Sequence, residues 1–247
     1  MTRALLLVVL AVLVAGCSGD ENAADQTTDT ATVTLPASSS GRVYWLRDGK
    51  VWPVRRDIQA TDAATAALGE LFAGPSEVEK TELGAASAVP VGSDAPRVTV
   101  EDGVATVELG GPQSDESLAQ IVYTLTDLPG VDSVETDGRS FTPTDFEEQT
   151  PPVLVESPLP FDDVASPLRV TGTANTFEAT FQYEVVDMGG SVIDGNVVTA
   201  TSGTGTRGTF DFTTGAFDDI SALRLFEFSA KDGSRVNEVE LPLRTGS

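Results

Sequence analysis

Apolar positions recur along this chain in two rhythms, and the change of rhythm divides it. Between residues 41 and 141 the periods are mixed. Val43 to Val54 alternates around Asp48-Gly49, a dipeptide favoured in two-residue hairpin turns. Counting outward from that turn pairs Arg47 with Lys50, Leu46 with Val51 and Trp45 with Trp52, and Pro53 points to an edge strand. Ala64, Ala67, Leu68, Leu71 and Phe72 then share one helical stripe, with Thr61 as N-cap and Gly74-Pro75 as stop. After a loop, Arg97 to Leu109 predicts a second hairpin about Asp102-Gly103, with Ala105, Val107 and Leu109 on one face. Leu118, Ile121, Val122, Leu125 and Leu128 mark a second helix, Ser117 and Gln120 its capping box and Pro129-Gly130 its end. Val131 to Thr136 supplies a closing strand. The order predicts an α+β domain, two helices covering one face of a small mixed sheet.

From 153 to 244 only the period of two remains. Phe177, Ala179, Phe181, Tyr183 and Val185 alternate with polar residues, as in a strand with one wet face. Shorter runs surround it at Val153-Leu154-Val155, Leu168 to Val170, Val197 to Ala200, Thr209 to Phe212, Leu223 to Phe228 and Val236 to Leu243. Turn signals such as Gly189-Gly190, Asp194-Gly195 and Asp232-Gly233 separate them. Short strands at this spacing predict an all-β antiparallel sandwich, without the Cys…Trp…Cys signature of antibody domains. The proline- and acid-rich stretch 142–152 is expected to link the two domains.

At the N-terminus, Arg3 precedes an apolar run from Ala4 to Ala15. The run is shorter than the ~20 residues of a membrane-spanning helix and has the layout of an export signal. Leu13-Val14-Ala15-Gly16-Cys17 resembles the lipobox of bacterial lipoproteins. That resemblance implies a signal peptide over 1–16, cleavage before Cys17 and a diacylglyceryl group on its thiol. Residues 17–40, rich in Ser, Thr, Ala and Asp, bury too little to fold and are expected to form a disordered tether. The expected location is the extracytoplasmic face of the cell membrane, with the N-terminal diacylglycerol as anchor; two acyl chains hold stably where one does so only marginally.

Composition narrows the function. The 247 residues carry a formal charge of −23, which repels nucleic acid. Histidine is absent and Cys17 is the only cysteine, which removes Ser-His-Asp and Cys-His nucleophile systems and the commonest metal ligand. The acidic pairs Glu147-Glu148, Asp162-Asp163 and Asp218-Asp219 lack the spacing of a calcium loop and are expected to solvate the surface. Gly110-Gly111-Pro112 and Gly203-Thr204-Gly205 lack phosphate-loop spacing. No catalytic residue, metal or cofactor is expected.

The first domain resembles the GerMN domain of sporulation and spore-germination lipoproteins. The resemblance rests on Val43-Tyr44-Trp45-Leu46, Ala67 through Pro75, Ala88-Val89-Pro90, Asp102 through Val107, and Gln120 through Leu125 with Pro129-Gly130-Val131. The second is similar to the immunoglobulin-like domain of bacterial spore germination, on Ser157-Pro158, Ser166 through Ala174, Phe177-Glu178-Ala179, Ala230 through Ser234 and Asn237-Glu238-Val239. These resemblances imply a fold related to ring-building modules, which leaves a homo-oligomer open, and no established catalytic residues.

One cluster stands out for partner binding. Arg42, Arg47, Lys50, Arg55 and Arg56 concentrate positive charge on the first hairpin of an acidic chain. They are expected either to form a solvated rim or to face anionic lipid, cell-wall polymer or another domain's acidic face. The chain is therefore expected to be a non-enzymatic, lipid-anchored envelope protein acting as a protein–protein interaction or assembly module with an envelope partner. The alternative is a lipoprotein that captures a ligand or cell-wall fragment in a groove between its domains. Mass spectrometry of the processed N-terminus is expected to show a diacylglyceryl thioether at Cys17; a free thiol there, or protein found wholly in the culture medium, overturns the anchor.

Overall fold

The structure, a computed structural model, describes residues 38–246. The leader, Cys17 and the tether through residue 37 lie outside the described residues. Residues 38–40, expected to end the tether, open the first strand instead. That strand, β1 (Ser38–Arg47), pairs antiparallel with β2 (Lys50–Gln59) in the expected register, Trp45 opposite Trp52. Asp48 and Gly49 sit at φ of 53° and 73°, the positive pair that a type I′ turn requires. Both faces of the hairpin are buried, Val43, Trp45 and Val54 on one and Tyr44, Leu46 and Val51 on the other. A strand covered on both sides reads as an unbroken apolar run, as Val43-Tyr44-Trp45-Leu46 does. The tryptophans pair in register, yet each is covered by an arginine: Arg56 lies 5.6 Å from the Trp45 ring centre and Arg47 6.0 Å from that of Trp52.

Helix α1 (Ala63–Ala73) buries all five residues of its expected stripe. Its N-cap is Asp62, whose carboxylate accepts the Thr65 amide at 3.3 Å, while Thr61 lies in the preceding 3-10 turn. Helix α2 (Glu77–Leu83) occupies what was expected to be loop. Ser76 and Glu79 close a reciprocal capping box at its start. Strands β3 (Val98–Glu101) and β4 (Val104–Val107) form the second hairpin, and helix α3 (Asp115–Thr126) crosses to β5 (Ser133–Thr136), parallel to β4. The cap of α3 is Ser114 rather than Ser117, with Asp115 and Glu116 placed in the first turn, where the helix dipole favours them. Gln120 does not cap. It is fully buried, donating to the Tyr44 carbonyl at 2.9 Å and accepting from the Ala88 amide at 2.7 Å. A further strand, β6 (Arg139–Phe141), turns back on β5 to complete the sheet β3-β4-β5-β6. The first hairpin is not part of that sheet, so α1 and α3 touch two sheets instead of covering one.

The connection 142–152 is folded rather than a loose spacer. Pro143–Gln149 winds as 3-10 turns that pack on α3, with Phe146 in the first core and the Tyr123 hydroxyl 2.6 Å from the Thr150 hydroxyl.

The second domain is a sandwich. Strands β7 (Val153–Ser157), β9 (Arg169–Ala174) and β12 (Gly208–Thr213) form one sheet in the order β12-β9-β7; β8 (Asp163–Val164) lies between the first two in sequence. Strands β10 (Thr180–Val186), β11 (Val192–Thr199), β13 (Ala222–Phe228) and β14 (Arg235–Pro242) form the other, in the order β11-β10-β13-β14. A final strand, β15 (Arg244–Thr245), pairs parallel with β8. Phe181, Tyr183 and Val185 face the core as expected, but Phe177 is 60% exposed. Residues 177–179 form a turn with Glu178 and Ala179 at positive φ, so the alternation there is coincidence and the strand begins at Thr180.

β9 passes close to its neighbour. A Cβ at Gly172 would lie 2.1 Å from the Leu154 carbonyl oxygen and 2.7 Å from Phe210, beside a bulge in β7. Gly172→Ala is expected to destabilise the protein by roughly 1–3 kcal/mol in denaturant titration, as overpacking does. Gly110→Ala, with no heavy atom within 4 Å of its new methyl, is the matched control and is expected to leave the midpoint unchanged.

Candidate functional site

The register of the first hairpin creates an electrostatic problem. Arg42 stands directly opposite Arg55, and Arg47 opposite Lys50. Like charges facing each other across strands destabilise a hairpin. Each of the four is answered by a group elsewhere in the chain. Arg42 pairs with Asp127 after α3 at 2.6 Å and donates to the Glu156 carbonyl at 3.2 Å. Arg55 grips both oxygens of Asp162 at 2.9 and 2.7 Å and donates to the Ser40 hydroxyl. Arg47 donates to the Glu240 carbonyl at 3.1 Å, and Lys50 to that of Glu148. Arg56 turns the other way, bidentate to Glu79 at 2.7 and 2.8 Å and 3.3 Å from Glu70.

Each of the hairpin's five cationic side chains thus has a partner within the chain. Its charges bind inside the chain, mostly to the second domain and the connection. Of its contacts to the second domain, that to Asp162 is to a carboxylate, and those to Glu156 and Glu240 are to backbone carbonyls. Apolar contacts run along the same seam: Trp52 packs against both cores, and Leu154 of β7 belongs to the first. The acidic pairs expected only to solvate the surface also do structural work. Asp162 holds Arg55 and the Leu159 amide, and Glu147 holds Arg207 and Asn175.

Burial alone raises a carboxyl's pKa. At Glu79 it is outweighed by the Arg56 bonds and the Ser76 amide, and at Glu147 by Arg207 and Asn175, so both stand below the ordinary range. Each therefore contributes stability that is present above the unfolded carboxylate value and lost as pH falls through the lowered one. Glu156 goes the other way: burial raises it, Arg42 opposes this and Asp127 adds to it.

Two of the concavities among the described residues bear on binding. The first is a cleft of about 490 Å³ between the domains. It is walled by Arg42 and Arg55 of the hairpin, Asp127 to Pro129 after α3, Glu156 and Ser157 of β7, Leu159 and Thr171. The second is a shallow groove of about 500 Å³ on the outer face of the sandwich's four-stranded sheet. Val197, Gln182 and Phe226 lie in one row across β11, β10 and β13, and Arg235, paired with Glu184, covers Phe226 at 4.0 Å. Around it Val192, Ile193, Val197 and Phe228 are 50, 44, 58 and 55% exposed. β11 is also a free edge of its sheet. A groove between the domains was expected as the alternative reading, but not its lining, and the groove on the outer sheet face was not expected at all, since both assemble side chains far apart in sequence.

Family models match the chain in two places. Residues 42–136 match the family described as sporulation and spore germination, and residues 152–234 match the immunoglobulin-like domain of bacterial spore germination. The chain carries these two domains, in that order. The connecting turns around Phe146 fall outside both matches. Among solved structures, the chain is similar to the tandem GerMN domains of the sporulation protein GerM from Bacillus subtilis, at 30% identity and a TM-score of 0.32. The similarity covers 43% of this chain and 41% of that one, so the chain spans about two-fifths of that structure's length. No curated protein matches.

The side chains of Arg42 and Asp127 are only 29% and 11% exposed, whereas those of Arg169 and Asp211 are 71% and 52% exposed. Arg42→Ala leaves a largely covered carboxylate with only the Tyr44 hydroxyl as donor and is expected to cost about 1–3 kcal/mol in unfolding free energy. Arg169→Ala is expected to leave the denaturation midpoint unchanged, because water and salt already screen that pair.

Proposed function

We propose that the protein is a non-enzymatic, membrane-anchored envelope protein in which the two germination-type domains act as one interaction module for an extracytoplasmic protein partner. The anchor is the lipid expected on Cys17. The setting is sporulation- or germination-related assembly, as both domain families suggest. The observation that carries the reading is the outer face of the β11-β10-β13-β14 sheet. Apolar side chains exposed in one neighbourhood of a small domain are a costly surface unless a partner covers them, and here they flank a free strand edge. The docked hairpin supports the same reading from the other side. Its charges are consumed within the chain, which leaves the sandwich face as the surface offered outward.

Crosslinking from intact cells tests this. The wild-type chain is expected to capture a discrete envelope protein, and Val197→Glu with Phe228→Ser is expected to abolish that capture. Both positions are exposed, so the double variant is expected to keep the wild-type circular dichroism and unfolding midpoint. Failure of the wild type to capture a partner, or capture undiminished in a folded double variant, overturns the proposal.

A further inference from the structure

We infer that the cleft between the two domains is a binding site for a small hydroxylated amine, a ligand of amino-sugar type. The inference does not rest on the outer sheet face. Charge inside the cleft is nearly settled by the protein itself: Arg42 is matched by Asp127 and Arg55 by Asp162. Glu156 is the exception. Its carbonyl accepts from Arg42, but among the described residues no group donates a hydrogen bond to its carboxylate, although the residue is half-buried in the cleft wall. Arg42 offsets its charge without bonding to the carboxylate, and a ligand ammonium placed there gains a charge-assisted hydrogen bond.

The rest of the wall defines the rest of the ligand. Ser157 and Thr171 line the cleft, and among the described residues their hydroxyls make no hydrogen bond, which leaves them for a sugar-like hydroxyl, while Leu128, Pro129 and Leu159 add apolar residues to the wall for a ring face. A volume of about 490 Å³ lies within the range of small-molecule sites, and such sites favour domain junctions. The overall charge of −23 raises the local concentration of cations and repels anionic competitors. Carboxylates, phosphates and nucleotides are poor candidates for the same reason, since the guanidinium groups in the cleft are already engaged.

Titration calorimetry on the full chain in detergent, near neutral pH, distinguishes the possibilities, with glucosamine and N-acetylglucosamine as probes. Glucosamine is expected to bind, and its N-acetyl derivative, which has lost the ammonium, to bind at least tenfold more weakly. Glu156→Gln is expected to weaken glucosamine at least tenfold while leaving the thermal midpoint close to that of the wild type, because among the described residues no group donates a hydrogen bond to the carboxylate it replaces. Thr171→Val, a change of similar volume at a part-exposed strand position, is the second variant and is expected to weaken glucosamine without affecting a plain alkylamine. Absence of glucosamine binding, equal affinity for the two sugars, or unchanged affinity in Glu156→Gln each overturns the site. None of these results bears on partner capture, so the two proposals fail separately.

Discussion

A hairpin that sets arginine against arginine and arginine against lysine cannot stand on its own charges, and the arrangement of this molecule follows from how that repulsion is relieved. Arg42 and Arg55 face one another on adjacent strands and need separate counter-charges close by. Those come from Asp127 after α3 and from Asp162 in the loop following β7. Arg47 and Lys50, flanking the turn, reach the carbonyls of Glu240 and Glu148. The first domain's hairpin is therefore completed by groups it does not contain. Beside those contacts Trp52 packs against both cores and Leu154 of the second domain lies in the first, so an apolar seam runs next to the ion pairs. Dispersion and electrostatics cooperate here because neither is large by itself at a partly exposed joint.

What could be read from the residues alone was what depends on near neighbours. The Asp48-Gly49 turn dictates the pairing of Trp45 with Trp52, and the five-residue stripe of α1 lies on one face because its spacing matches 3.6. Two elements had local signals that were passed over. Ser76 and Glu79 have the capping-box spacing that opens α2, and Asp137-Gly138 is the same turn signal that marks the other hairpins. Phe177 misled because an alternating pattern carries no mark of where the backbone leaves the sheet. The roles of Asp127, Glu156 and Asp162 had no local signal at all. Their partners lie 85 to 114 residues away for Arg42 and 107 for Arg55, and composition reports only that acids outnumber bases.

Segment 142–152 shows how composition and structure part company. Proline and acid mark it as a break in the periodic pattern, which it is, since all but its last residue fall outside both matched family regions. Yet Phe146 is 3% exposed, and Glu147 holds Arg207 and Asn175 of the second domain. A connection built this way limits the angles available to the two domains, because bending it exposes a phenylalanine and breaks a bidentate ion pair together. The joint is thus secured at two places, by the hairpin and by the connection.

Securing the joint twice has a consequence for how binding at one place is felt at another. Arg42 touches Asp127 through its side chain and the backbone of Glu156, and Asp127 lies 3.4 Å from the Tyr44 hydroxyl in the first core. Anything that alters the charge on Glu156 changes the field at Arg42, and Arg42 holds the hairpin that carries Trp52 between the cores. The free energy available for such coupling is bounded by the difference a ligand makes between joined and loosened domains. With ion pairs at one end and a buried aromatic at the other, the loosened state is expensive. The contacts that join the cleft to the sandwich run through Arg42, Trp52 and Leu154, so any ligand of the cleft acts on the outer sheet only as far as it favours the joined arrangement.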